Sequence, residues 1–173
     1  MDRNRLIRDI PPTRTPATGS TRLTASVVAA ELGRLTPRDR LLLDLLDQHR
    51  TFTTDQVVDL AFGSVGRARN RLNTLHGRDI LDRFRHYQRP GSQAWTWTIG
   101  PVGAALLAAG RGATPPRLAA GRGATLPRPA AVRDATARLA MSPTLAHLLT
   151  VNGFFVALTA HARTHRGARL VRW

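Results

Sequence analysis

Between residues 64 and 78 the chain spaces its apolar residues as an amphipathic helix does, and fills the other positions with arginine, asparagine and threonine. Val65, Ala68, Leu72 and Leu75 recur at three- and four-residue steps, which predicts one buried face. Arginine is the usual partner of guanine and asparagine that of adenine, so the other faces carry side chains suited to DNA. The polar residues of this segment are Arg67, Arg69, Asn70, Arg71, Asn73, Thr74 and Arg78.

The face opposite the apolar stripe centres on Arg67, Asn70 and Thr74, because successive helical residues are rotated by about 100°. We therefore predict that these residues read bases, and that Arg69 and Arg71, which flank the stripe, contact phosphates. The alternative is a solvated, arginine-rich helix in a small domain without a nucleic-acid partner. The order of the elements around the helix and the charge of the chain favour double-stranded DNA as the partner.

Helix-capping residues divide the segment before residue 64 into further helices. A serine or threonine whose side chain accepts a backbone N–H is a common start of a helix, and Pro37 suits a first helical position. Gly33 is the predicted stop of a short helix over residues 24–33. The predicted caps are Thr24, Thr36, Thr53 and Ser64, and the predicted buried stripe after Thr36 is Leu41, Leu42, Leu45 and Leu46.

A β-hairpin is predicted after the arginine-bearing helix. Residues 80–88 and 94–99 have strand composition, and residues 89–92, Arg-Pro-Gly-Ser, form a turn sequence. Trp95 and Trp97 fall on one face of the second strand, where we expect them to cover the core; stacking on bases is the alternative. The arginines predicted to lie on the DNA backbone or in the minor groove are Arg83, Arg85 and Arg89.

Helix, helix, arginine-bearing helix and hairpin is the order of a winged helix-turn-helix. We therefore predict a mainly α fold with a small β-hairpin, in which a winged helix-turn-helix is followed by a C-terminal helical segment. The chain divides into residues 1–35, a basic flexible arm with the short helix; residues 36–109, the DNA-binding domain; residues 110–130, a Gly/Pro/Arg linker with a duplicated unit; and residues 131–173, a helical segment that begins a truncated second domain.

All 26 basic residues are arginine, against 11 acidic residues, and the formal net charge is +15. A codon bias towards arginine accounts for the absence of lysine but not for the scarcity of acids, so the balance indicates a polyanionic partner. The chain has no cysteine, which excludes disulfides and thiolate metal sites. We expect a cytoplasmic protein with no secretion signal and no membrane contact.

The titratable residues do not form a recognisable catalytic set. His161 and His165 lie one helical turn apart, but a zinc site needs a third ligand and Glu31 is the only glutamate. The aspartates stand singly apart from Asp79 and Asp82, whereas metal-dependent nucleases cluster their carboxylates. We therefore expect no cofactor, no metal and no enzymatic activity.

Several of these motifs together resemble the plasmid replication-relaxation proteins of high-GC bacteria. The resemblance covers residues 35–109 and 142–173, and its first block is shared with many winged-helix regulators. The matching residues are Leu35–Leu46, His49, Arg50, Thr53, Gln56, Phe62, Ala68, Arg71, Leu72, Leu75, Trp97–Ile99, Gly100–Gly103, Leu145, His147, Leu149, Val151, Asn152 and Leu170–Trp173.

The resemblance implies a winged-helix DNA-binding protein linked to plasmid replication and DNA relaxation. Its relatives usually continue into an acidic, nuclease-like α/β segment, so we expect a member that is short at its C-terminus and non-catalytic. Two other hypotheses stay open. One is an interaction module in which residues 143–163 form a homodimer or bind a replication protein, and the other is a transcriptional repressor with the same fold.

Overall fold

The computed structural model of the chain describes residues 13–14, 23–86, 93–111, 126–165 and 170. Within these residues the fold is mainly helical with a small antiparallel sheet, which confirms the predicted fold class. The helices are α1 (Ala25–Arg34), α2 (Pro37–His49), α3 (Thr54–Ala61), α4 (Val65–Gly77), α5 (Pro101–Gly110), α6 (Pro129–Ala140) and α7 (Leu145–Thr164), and the strands are β1 (Thr13–Arg14), β2 (Phe52–Thr53), β3 (Leu81–Arg85) and β4 (Thr96–Ile99).

The predicted helix starts are confirmed by hydrogen bonds at the caps. The Thr36 side chain accepts from the backbone N–H of Asp39, whose carboxylate accepts from the backbone N–H of Thr36. Thr53 and Gln56 form the same reciprocal pair at α3, and Ser64 caps α4. The sequence therefore determines where the helices before the hairpin begin.

Three details of the predicted helices are wrong. Helix α1 continues through Gly33 and ends at Arg34. Leu41 is 48% exposed while Leu43 is buried. The buried face of α2 therefore contains Leu43 in place of the predicted Leu41. Val65 is 41% exposed, because the first turn of α4 lies outside the core.

The sheet has the order β1–β3–β4–β2, and every neighbouring pair is antiparallel. Strands β3 and β4 form the predicted hairpin, with Arg83 opposite Trp97. Phe52 of β2 pairs with Trp97 from the other side, and Thr13 of β1 pairs with Arg85. The predicted turn at residues 89–92 lies outside the described residues.

The hairpin is packed on both faces. Trp97 belongs to the main core with the leucines of α2 and α4. Phe84 belongs to a second cluster with Leu139, Ala140 and Leu145, which come from α6 and α7. The hairpin therefore packs against α2 and α4 on one face and against α6 and the start of α7 on the other.

Helix α7 is held against α3 and the start of β2 by polar contacts. The buried Asn152 amide donates to the carbonyl of Thr51 over 2.7 Å and to that of His49 over 3.2 Å. The Gln56 amide donates to the carbonyl of Leu149 over 2.8 Å. The described residues on the two sides of the predicted linker are thus in contact, and the domain division stays a prediction.

By length and composition α7 alone, among the helices described here, could cross a membrane. Its outward face carries Phe154, which is 61% exposed, and the partly exposed Leu158. Helices that pack on soluble domains meet the same criterion.

Candidate nucleic-acid interface

Core packing fixes the inner face of α4. Ala68, Leu72 and Leu75 are each at most 1% exposed. The helix packs against α3 and β3, and its 13 residues extend over more than three turns. A helix held in this way has a defined outer face, so its exposed side chains share one direction of approach.

The exposed polar residues of α4 are Arg67, Arg69, Asn70, Asn73 and Thr74. Arg67 Nε lies 3.3 Å from Ser64 Oγ, and the Thr74 hydroxyl donates to the backbone carbonyl of Asn70 over 2.9 Å. Arg69 and the Asn70 amide make no hydrogen bond to another described residue. The outer face of α4 therefore presents donors and acceptors to solvent.

Arg71, a predicted phosphate contact, lies beneath this face in an ion pair with Asp39 of α2. Arg71 Nε donates to Asp39 Oδ1 over 2.8 Å, and Arg71 Nη2 contacts Oδ2 of the same carboxylate. Burial raises the pKa of Asp39, but the hydrogen bonds from Arg71 and Thr36 outweigh burial and hold that pKa below its ordinary value. The bond to Asp39 raises the pKa of Arg71. Arg71 thus ties α4 to α2.

Arg78, at the C-cap of α4, is paired as well. Its Nη2 contacts a carboxylate oxygen of Glu31 on α1, and Arg34 Nη1 lies 3.2 Å from the other oxygen. Glu31 therefore places a carboxylate at the C-terminal end of α4, where its negative charge offsets the positive charge of Arg78.

Arg83 and Arg85 of β3 both stand over the indole ring of Trp95. Their Cζ atoms lie 4.3 Å and 4.5 Å from the ring centroid. Arg83 Nη1 also donates to Asn73 Oδ1 of α4 over 2.7 Å. Burial, and then the charge of Arg85, lower the pKa of Arg83. Arg83 is thus joined directly to the predicted helix face, and Arg85 shares the ring of Trp95 with it.

The tryptophans of β4 and of the residue before it have separate roles. Trp97 is 2% exposed, and its Nε1 donates to Thr54 Oγ1 over 2.9 Å, as expected for a core residue. Trp95 packs against the main core, which agrees with the prediction, and is partly buried beneath the two arginines. Trp97 is therefore too buried to stack on a base.

The remaining predicted sites add little to this surface. Arg89 lies outside the described residues. The rings of His161 and His165 are stacked with centroids 3.7 Å apart, and no group of three metal-ligating side chains occurs in the described ranges.

Two open clefts of about 400 Å³ flank α2. One is lined by Arg38 and Arg163, and the other by Asp47 and Arg50 among apolar residues.

Fold and surface together define a mainly helical, strongly basic protein in which an arginine-bearing helix precedes a β-hairpin. A sequence model of the family described as replication-relaxation matches residues 43–173, most of the chain, and the chain belongs to that family. Membership confirms the resemblance seen in the sequence and supports a role in plasmid replication or DNA relaxation. No curated protein and no solved structure matches the chain.

Sequence reasoning missed the partners of these arginines. The position of Asp39 in the first turn of α2 suits an acidic residue, but its bond to Arg71 joins residues that are 32 positions apart. Glu31 and Arg78 are 47 positions apart. The contact of Trp95 with Arg83 and Arg85 was predictable only in part. Side-chain alternation places the three residues on one face of the hairpin, but only once its register is known.

Proposed function

We propose that the chain binds double-stranded DNA through the outer face of α4 and acts without catalysis of its own in plasmid replication or DNA relaxation. The observation that carries the proposal is the set of exposed polar side chains on α4, whose opposite face is fully buried. A rigid helix with an outward row of arginine and asparagine fits the major groove.

The order of the elements supports a winged helix-turn-helix. Helices α3 and α4 are separated only by residues 62–64, and the hairpin β3–β4 follows α4 directly. In this arrangement the second helix of the pair enters the groove and the hairpin lies beside the backbone. The net charge of +15 supports the same partner, because phosphate neutralisation supplies much of DNA-binding affinity.

Each exposed residue of α4 has a distinct proposed role. Arg67 and Asn70 are three positions apart on one face, where a guanidinium suits guanine and a carboxamide suits adenine. Thr74 donates its hydroxyl proton to the carbonyl of Asn70, so it offers its methyl group and its oxygen lone pairs to a base. Arg69, to one side, is the proposed phosphate contact from the helix.

The proposal is tested by measuring binding of the full chain to a duplex selected from a random pool. We expect Arg67→Ala with Asn70→Ala to weaken binding by roughly tenfold or more and to reduce discrimination between selected and random duplexes. Arg138→Ala is the matched control, since Arg138 is an exposed arginine of α6. Equal binding by the double variant and the control would overturn the assignment of α4.

Two other functions predict different results. An interaction module that uses residues 143–163 predicts no duplex binding by the wild type, together with a dimer or a complex with a replication protein in light scattering. A transcriptional repressor predicts the same binding surface, but selected sites that lie in promoters rather than at a plasmid origin.

A further inference from the structure

The half-buried arginines of the described residues fall into two groups. Arg71, Arg78 and Arg133 each contact a carboxylate, from Asp39, Glu31 and Asp79 respectively. Arg83 and Arg85 are equally half-buried, yet in the described chain neither has a carboxylate oxygen within 4.0 Å of its guanidinium. A guanidinium removed from water normally needs such a partner, so this pair is electrostatically incomplete.

The nitrogen atoms of the two arginines support this difference. The Nε atoms of Arg83 and Arg85 are buried and have no hydrogen-bond partner among the described residues. The Nε of Arg78 is also unpaired, but its guanidinium contacts Glu31. Asp82 accepts from the backbone N–H of Arg83 and only partly offsets the lowering of the pKa of Arg83 by burial and by the charge of Arg85.

Trp95 brings the two like charges together. Both guanidinium groups lie within 4.5 Å of the centroid of its ring, where the negative face of the indole attracts cations. The carbonyl of Trp95 accepts from the backbone N–H of Thr54 over 3.0 Å and from the Thr54 hydroxyl over 3.2 Å. The backbone of Trp95 is thus anchored to the first turn of α3, and its side chain packs against the main core.

Asn73 links this pair to α4. Its Oδ1 accepts from Arg83 Nη1 over 2.7 Å, which leaves the amide N–H groups of an exposed side chain as neutral donors beside the arginines. An anion bound beside Asn73 and Arg83 would lie at the boundary between the outer face of α4 and the hairpin.

We propose that Arg83, Arg85 and Asn73 form one binding site for a backbone phosphodiester of duplex DNA, and that Trp95 is the positioning residue that holds both arginines in place. The proposal rests on the DNA-binding function proposed above. One phosphate supplies the missing negative charge and accepts hydrogen bonds from both guanidinium groups. The site sets the position of α4 on the duplex and contributes affinity that does not depend on base sequence.

The test is the salt dependence of duplex binding by the full chain and by variants. A site that neutralises one phosphate contributes about 0.9 to the slope of log affinity against log salt concentration, and the affinity falls when the site is lost. We expect Arg83→Gln with Arg85→Gln to lower the slope by this amount for selected and random duplexes alike. The control is Arg128→Gln with Arg138→Gln, which removes the same two charges from exposed arginines at the N-cap and in the last turn of α6.

The role of Trp95 needs a readout that a purely structural residue would not change. We expect Trp95→Leu to lower the slope although both arginines are present, and Trp95→Phe to restore part of it, because phenylalanine keeps an aromatic face. Should Trp95→Leu unfold, the phenylalanine variant and the arginine double variant still decide the outcome.

The two proposals fail in different ways. If Arg83→Gln with Arg85→Gln matches its two-charge control in slope and affinity while Arg67→Ala with Asn70→Ala loses discrimination, the phosphate site is wrong and DNA binding stands. If the wild type binds no duplex, both proposals are overturned. If Trp95→Leu matches the wild type in slope, Trp95 has no positioning role.

Discussion

Arg71 of α4 and Asp39 of α2 form an ion pair in which Nε donates to Oδ1 over 2.8 Å, and the carboxylate is almost completely buried. The same carboxylate accepts from the backbone N–H and the hydroxyl of Thr36, each over 2.7 Å. One side chain therefore both starts α2 and fixes the position of α4 against it.

Replacing Asp39 by asparagine should destabilise the protein by about 2–3 kcal/mol at neutral pH, because Arg71 loses its charged partner in a half-buried position. The folded-state pKa of Asp39 is lowered, so its contribution to stability is complete above the unfolded pKa of about 3.9 and is lost as the pH falls through the folded value. The difference between wild type and variant in denaturant unfolding should therefore shrink on acidification.

The control for this prediction is Asp44→Asn, because Asp44 is an exposed aspartate of the same helix. We expect a change within about 0.5 kcal/mol for this variant. A destabilisation by Asp39→Asn that is equal at neutral pH and near pH 3 would contradict the assigned titration.

Replacing Glu31 by glutamine should increase the affinity for duplex DNA. The change removes the carboxylate that pairs with Arg78 and Arg34 and leaves both arginines available to phosphates. We expect an increase of about two- to threefold with a steeper salt dependence, measured by fluorescence anisotropy. Asp134→Asn makes the same charge change on an exposed residue of α6, and an equal effect of the two variants would argue against a specific role of Glu31.

Asn152→Ala should loosen α7 from the rest of the fold. The change removes the amide donor to the buried carbonyl of Thr51 and a second donor to that of His49, which keeps its bond from the backbone N–H of Thr51, at a cost of about 1–3 kcal/mol. Hydrogen exchange should rise in α7 before the amides of α4 are affected. Thr150→Ala, on the exposed side of the same helix, should have little effect; uniform exchange in both helices would speak against local loosening.

Gly103→Ala should be destabilising, because a Cβ on Gly103 would lie 2.2 Å from the backbone carbonyl oxygen of Ile80. We expect a loss of about 2 kcal/mol in thermal or denaturant unfolding. In contrast, a Cβ on Gly66 in α4 would have no described atom of another element within 4 Å, and Gly66→Ala should stabilise by about 0.5–1 kcal/mol. Equal stability of the two variants would contradict the close packing of α5 on Ile80.

Local rules predicted the helix starts, since a cap such as Thr53 with Gln56 is complete within four residues. The same rules failed for α2, where Leu41, Leu42 and Leu43 follow one another and only packing decides which of them is buried. Residue type predicted the outward face of α4, because its apolar stripe at Ala68 and Leu72 is unambiguous. The carboxylate partner of each arginine could not be predicted, because it depends on contacts between segments that are distant in the sequence.

The pairing of β1 with β3 has a practical consequence for the design of binding experiments. Thr13 lies opposite Arg85 at the edge of the sheet, which places β1 next to the proposed phosphate site. A charged group inserted immediately before Thr13 would therefore lie beside that site and would distort the salt dependence by which the proposed binding is measured.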